Sequence, residues 1–308
     1  MLCGKAINNQ GTDIQMEGFN NVALDNTLAK HGGINDDDNS GSINNLRIEF
    51  GGVAFEPNKE INGVTFGSVG NQTIVDYVQV SFSGDDSFEW FGGTVNCKYL
   101  IAYKTQDDDF DTDFGYAGNV QFGIVLRDSA IADISTSEAF ESDNDGNGSD
   151  FTPKTTAVFS NITAIGPRIN PVSGKGNNLY YAGAQIRRNS GISIQNAIFA
   201  GWPRALVIDE SKVTTNGSTY KNLTDSVTRI KNVTLAGNTV DLLYVGKSGA
   251  STNKTDADLF SGKLEVSSAS KNFLATSFHS SLESLYLEME KSILEEISSW
   301  KKNRFKNN

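Results

Sequence analysis

Residues 77–84 read YVQVSFSG, and related phrases recur as NLRIEFGG at 45–52, KYLIAYKT at 98–105, NITAIG at 161–166, NAIFAG at 196–201 and NVTLAG at 232–237. Each alternates apolar and polar side chains over a few positions and then meets glycine or a turn residue, the period-two pattern of a short strand. Successive copies begin 32, 21, 63, 35 and 36 residues apart, and the interval of 63 leaves room for two or more further turns, such as VQFGIVL at 120–126. A unit of one strand and one turn cannot bury its apolar face alone, whereas stacked units can. The segments between copies are rich in Gly, Asn, Asp, Ser and Thr and show no helical period before residue 275. The expected fold is therefore all-β: a parallel β-helix, a single-stranded solenoid with strands about 4.8 Å apart and inward Val, Ile, Leu and Phe in ladders. A β-sandwich is the competing architecture, with tighter turns and less similar phrases.

The chain has 308 residues, 38% hydrophobic and 20% charged, with 30 Gly and 5 Pro, enough for one large domain with a substantial core. Its net charge of −11 argues against a nucleic-acid partner, because phosphate neutralisation needs clustered Lys and Arg. Cations or uncharged partners suit it better. Cys3 and Cys97 make no disulfide framework and no zinc spacing, and Cys97, at a strand start, reads as a small buried ladder residue. No stretch is apolar enough for a transmembrane segment. The opening MLCGKAINNQGTD lacks the features of a signal peptide, so either the protein is cytosolic or its targeting segment lies outside the numbered chain.

The character changes near Ser277. Leu282, Leu285, Met289, Ile293, Ile297 and Trp300 follow one another at helical spacings with Glu and Lys between them, which predicts an amphipathic helix. The expected division is a β-helix over 1–275 and a C-terminal helix or tail over 276–308. That segment can cover an open strand edge, bind a partner, or remain a tail.

Three acidic clusters carry alternating oxygen donors: Asp36, Asp38 and Ser40; Asp109, Asp111 and Asp113; Asp143, Asp145 and Asn147. Calcium takes six to eight oxygens, and alternate side chains of a tight loop can converge on one ion. The first and third clusters match the opening half of an EF-hand-like loop, but the twelfth positions are Arg47 and Lys154 rather than Glu. In the middle cluster five aspartates fall within Asp107–Asp113, and Phe110 and Phe114 are expected to point into the core and throw the carboxylates outward. Asp85, Asp86 and Glu89, about one coil earlier, are the nearest further donors. Calcium is the expected cofactor at these residues; hydrogen-bonded, solvated turns are the alternative.

HGGINDDDNSGSINNLRIEFGG, the run from Val78 to Arg127, and FESDNDGNGSDFTPKTTAVFSNITAIGP together resemble a family of secreted bacterial right-handed β-helix proteins, pectate-lyase-like and common in Bacteroidota. The resemblance covers roughly residues 1–245. It implies an extracellular or outer-membrane surface location and places Met1 inside a first coil, but it brings no known reaction. The function expected is glycan binding or a structural surface role, probed through polysaccharide or cell-surface glycan partners. The alternative is a calcium-assisted polysaccharide lyase or glycoside hydrolase. For a lyase, Lys98, Lys104 and Arg127 are candidate bases; for a hydrolase, Asp85 and Asp86 are the candidate pair. Trp90, Phe91, Tyr180 and Tyr181 are candidates to stack on sugar rings. No GxSxG motif or His-paired nucleophile is present.

Overall fold

The computed structural model describes residues 1–19, 29–52, 61–168, 176–213, 217–247, 251–252 and 264–269. The C-terminal segment from 276, with its expected helix, lies outside the described residues.

Two parallel sheets face each other across one core. The first contains Leu2–Cys3 (β1), Val64–Val69 (β5), Phe88–Gly93 (β7), Phe110–Asp113 (β9), Ser137–Ser142 (β11), Tyr180–Ile186 (β13), Arg204–Asp209 (β15) and Val240–Val245 (β17). Ser251–Thr252 (β18) joins β17 antiparallel. The second contains Ser42–Glu49 (β4), Ile74–Ser81 (β6), Asn96–Tyr103 (β8), Asn119–Leu126 (β10), Val158–Ile165 (β12), Ser193–Ala200 (β14), Ile230–Ala236 (β16) and Leu264–Ala269 (β19). Each coil runs from a first-sheet strand through a turn to a second-sheet strand and back, the parallel β-helix expected. Ile14–Gln15 (β2) and Lys30–His31 (β3) pair antiparallel, and one short helix, Thr219–Thr224 (α1), interrupts a turn with Ser218 as its N-cap.

Parallel pairing puts like side chains one rung apart, so the core consists of ladders. Ile43, Val75, Cys97, Val120, Phe159, Ile194 and Ile230 are in register along the second sheet, and Cys97 occupies the buried ladder position expected of it. Phe88, Phe110 and Phe140 form the matching column of the first sheet, with ring centroids 5.8 and 5.1 Å apart. Gly123 gives these rings room: a Cβ there would meet Ile162 Cδ1 at 2.8 Å and Phe110 Cζ at 3.3 Å.

Every quoted phrase is a second-sheet strand, and the phrases share a cause. Asn45, Tyr77, Tyr99, Phe122, Asn161, Asn196 and Asn232 all have φ between 51° and 64° and stand at equivalent positions in successive rungs. A left-handed residue breaks the alternation and bends the strand, and Asn tolerates that conformation best among residues with a side chain. Three consecutive rungs use an aromatic residue instead, and Tyr77, Tyr99 and Phe122 stack at 4.4 and 4.9 Å with nearly parallel rings.

The interval of 63 residues holds one additional second-sheet strand, β10, rather than two. The remaining length goes into the turns 127–136 and 143–157 and into β11.

Candidate functional site

The outer face of the first sheet carries a short motif three times: Asp86-Ser87-Phe88-Glu89, Asp108-Asp109-Phe110-Asp111 and Glu138-Ala139-Phe140-Glu141. Because Phe88, Phe110 and Phe140 are register partners pointing inward, the next residue of each rung points outward, giving the column Glu89, Asp111, Glu141. The acids two residues before each Phe form a second column, Asp86, Asp108, Glu138. Backbone donors tie this column together: Asp108 N–H donates to Asp86 Oδ1 at 2.8 Å, and Glu138 N–H donates to Asp108 Oδ1 at 2.6 Å. The grid is bounded by the register equivalents Thr65 on one side and Ala182 and Gln185 on the other.

Of these acids Asp86, Asp108, Glu89, Asp111 and Glu141 line a cleft of about 360 Å³ together with Glu17, Asp85, Asp107, Ser135 and Thr136, while Glu138 is fully buried beside Asp108 and Glu141. Three groups have carboxylate oxygens within 4.8 Å of one another: Asp85, Asp86 and Asp107; Asp86, Glu89 and Asp111; Asp108, Glu138 and Glu141. Burial, then mutual repulsion, pushes Asp86, Glu89, Asp108 and Asp111 well above the usual carboxylate range. Burial also raises Asp107, Glu138 and Glu141 to about 7. Asn62 Nδ2 donates to Glu89 Oε2 at the cleft edge.

Two cations enter the same cleft, Arg187 and Arg188. Arg187 donates to Glu141 Oε1 and, through Nε, to Asp143 Oδ1 at 2.9 Å; Arg188 Nη1 lies 2.6 Å from Asp143 Oδ2. Arg188 has φ 45°, so the turn after β13 is bent to bring both guanidinium groups to one carboxylate. Neither arginine was singled out from the sequence, and Glu138 and Glu141 were missed as well. The repeated acid-x-Phe-acid motif is the signal that finds the two glutamates.

Of the eleven residues expected to bind metal, the structure brings Asp85, Asp86 and Asp111 into this cleft. Asp113 lies beside it, opposite Phe91, and accepts the Phe114 N–H at 2.6 Å. Asp109 turns inward and pairs with Arg127. Asp36 Oδ1 accepts the Ile7 N–H at 3.0 Å, and Ser40 Oγ donates to Asp38 Oδ2 at 2.8 Å, both in the turn before β4. Asp143 is held by the two arginines, while Asp145 accepts the N–H groups of Asn147 and Ser149 at 2.9 and 3.1 Å. Asp38, Ser40 and Asp145 thus bond within their own turns, Asp36 ties its turn to the N-terminal segment, and Asp143 is taken by ion pairs.

Phe110 is a core anchor as expected, but Phe114 is not: at φ 52° it sits outside the main core with its ring 5.2 Å from that of Phe91. The expected bases lie elsewhere. Lys98 is exposed on the second sheet, Lys104 faces Asp128 at 3.6 Å, and Arg127 is fully buried. Trp90, Phe91 and Tyr180 are buried too, and Arg204 lies 4.4 Å over the ring of Tyr181. Tyr77, Tyr99 and Phe122 are exposed instead, and they wall a groove of about 800 Å³ on the second sheet with Ile101 and Ile124. Their ring faces cover one another, so the stack offers the groove its edges.

No curated protein and no solved structure matches the chain. A sequence model of one family, the pectate-lyase-like beta helix domain, does match, over residues 1–275. The chain therefore belongs to the pectate-lyase-like beta helix domain family.

Proposed function

We propose that the acidic cleft of this β-helix holds calcium and uses it to bind an acidic glycan outside the cell. The observation that carries the reading is the grid itself, in which carboxylates from three consecutive rungs converge on one 360 Å³ space. Ionised and unpaired, such groups repel one another strongly in a buried setting. A hard dication relieves that repulsion and, with three protein carboxylates around it, keeps positions open for ligand oxygens. The fold is carbohydrate-related by family, which favours a glycan as the source of those oxygens. No helix among the described residues is long and apolar enough to cross a membrane.

A second reading, a calcium-assisted lyase, is favoured by Arg187 and Arg188 in the same cleft, where a guanidinium group can reach a substrate held by the ion. One experiment addresses both. The EDTA-treated protein is screened on a glycan array with and without calcium, alongside an ultraviolet assay for unsaturated sugar products. Calcium-dependent binding that Glu89→Gln abolishes is expected; calcium-dependent products lost in Arg188→Ala would put the lyase first. If calcium neither stabilises the EDTA-treated protein nor promotes glycan binding, the proposal is overturned.

A further inference from the structure

The two deeper groups of the cleft share no residue. Asp86 and Glu89 of one rung meet Asp111 of the next, and Asp108 of that second rung meets Glu138 and Glu141 of the third. Successive rungs are about 4.8 Å apart, so the groups are neighbours rather than alternatives for one ion. Asp108 and Asp111 stand between them, where negative charge screens two dications from each other.

Glu138 supplies an independent observation. Its side chain is fully buried, Oε1 accepts from Thr136 Oγ1 at 3.1 Å, and Oε2 receives no hydrogen bond, the carboxyl's other side-chain neighbour being the Asp108 carboxyl. Arg187, whose charge Glu138 feels, donates to Glu141 and Asp143 instead. A buried carboxylate oxygen without a donor is costly, and a cation at the convergence of Asp108, Glu138 and Glu141 satisfies it.

We propose that the cleft binds two divalent cations one rung apart, the second held by Asp108, Glu138 and Glu141. The inference rests on the reading of the cleft as a calcium site and extends it from one ion to two. Two ions so placed accept a bridging oxyanion, one oxygen to each, which a single ion does not.

The test is calorimetric titration of calcium alone into the EDTA-stripped full chain. Two ions per chain are expected. Glu138→Gln is expected to reduce the count to one while Glu89→Gln, acting on the other group, also leaves one; the double variant binds none. Asp108→Asn keeps an oxygen to accept the Glu138 N–H, so it serves as the second probe should Glu138→Gln fail to fold, and it too is expected to leave one ion. A count of one in the unaltered chain, or a count of two that survives both Glu138→Gln and Asp108→Asn, overturns this inference and leaves the calcium cleft standing. A count of zero overturns both.

Discussion

Arg127 and Asp109 form an ion pair in which neither side chain reaches solvent, Nη1 standing 3.1 Å from Oδ1. Arg127 also donates from Nη2 to the carbonyl of Asp107 at 2.6 Å and lies 5.0 Å from the ring centre of Tyr180. Burial raises the Asp109 carboxyl and the guanidinium group opposes it, leaving it at about 6. The pair ties the turn before β9 to the turn after β10, which sets where Asp107 and Asp108 emerge into the cleft. Arg127→Met leaves a buried carboxylate without its counter-charge and is expected to cost about 3–5 kcal/mol. Urea unfolding measures it; a loss under about 1 kcal/mol would refute the structural role.

Phe110 is the hinge of core and cleft, with the rings of Phe88, Phe140 and Phe159 all within 5.9 Å of its own. Phe110→Ala is expected to cost about 3–5 kcal/mol through the cavity it leaves. Because Asp108 and Asp111 flank it, calcium affinity should fall with stability. Phe110→Leu, which restores most of the volume, should recover much of both, as unfolding and titration on the same samples would reveal.

Asn161 holds φ 58° in the bend of β12. Replacing it with Ala forces a Cβ-bearing residue without Asn's local hydrogen bonding into the left-handed region, at an expected cost of about 1 kcal/mol. Asn161→Gly should be close to neutral. Equal losses for Ala and Gly would mean that the side chain, not the backbone, is what matters there.

His31 is buried against Gly67, its Nδ1 2.9 Å from Ser68 Oγ, and burial with a smaller contribution from Lys5 lowers its pKa to about 4. Below pH 6.5 the unfolded chain takes up a proton that the folded imidazole refuses until pH about 4. Stability is therefore fully present above pH 6.5 and declines as pH falls through that window, by about 3 kcal/mol. His31→Gln removes this dependence, so the gap between the two proteins should narrow or reverse from pH 7.5 to pH 4.5 in urea unfolding. Parallel curves would rule His31 out as the cause.

Much of the second sheet was legible because its strands repeat a local requirement. Each must bend at a left-handed residue, return its apolar side chains to the core and end in a turn, so Asn or an aromatic followed by alternation appears in phrase after phrase. First-sheet strands such as FEWFGG and FDTD are short, and acids, threonine or glycine fill their non-aromatic positions, so they advertise themselves less. The aspartate-rich run drew attention to the correct coil. It did not distinguish Asp109, which turns inward to Arg127, from Asp111, which faces the cleft.

What the sequence by itself determined is the stack: recurring strand phrases, their bends, and an acidic charge that required some answer. Only the tertiary structure decided which acids meet. Asp86, Asp108 and Glu138 are separated by turns of unequal length, yet parallel pairing sets them on consecutive rungs, and Arg187 reaches Glu141 from the following coil. Proximity in a β-helix follows register between coils, about 4.8 Å per rung, and register is set by the packing of Phe88, Phe110 and Phe140 rather than by distance along the chain.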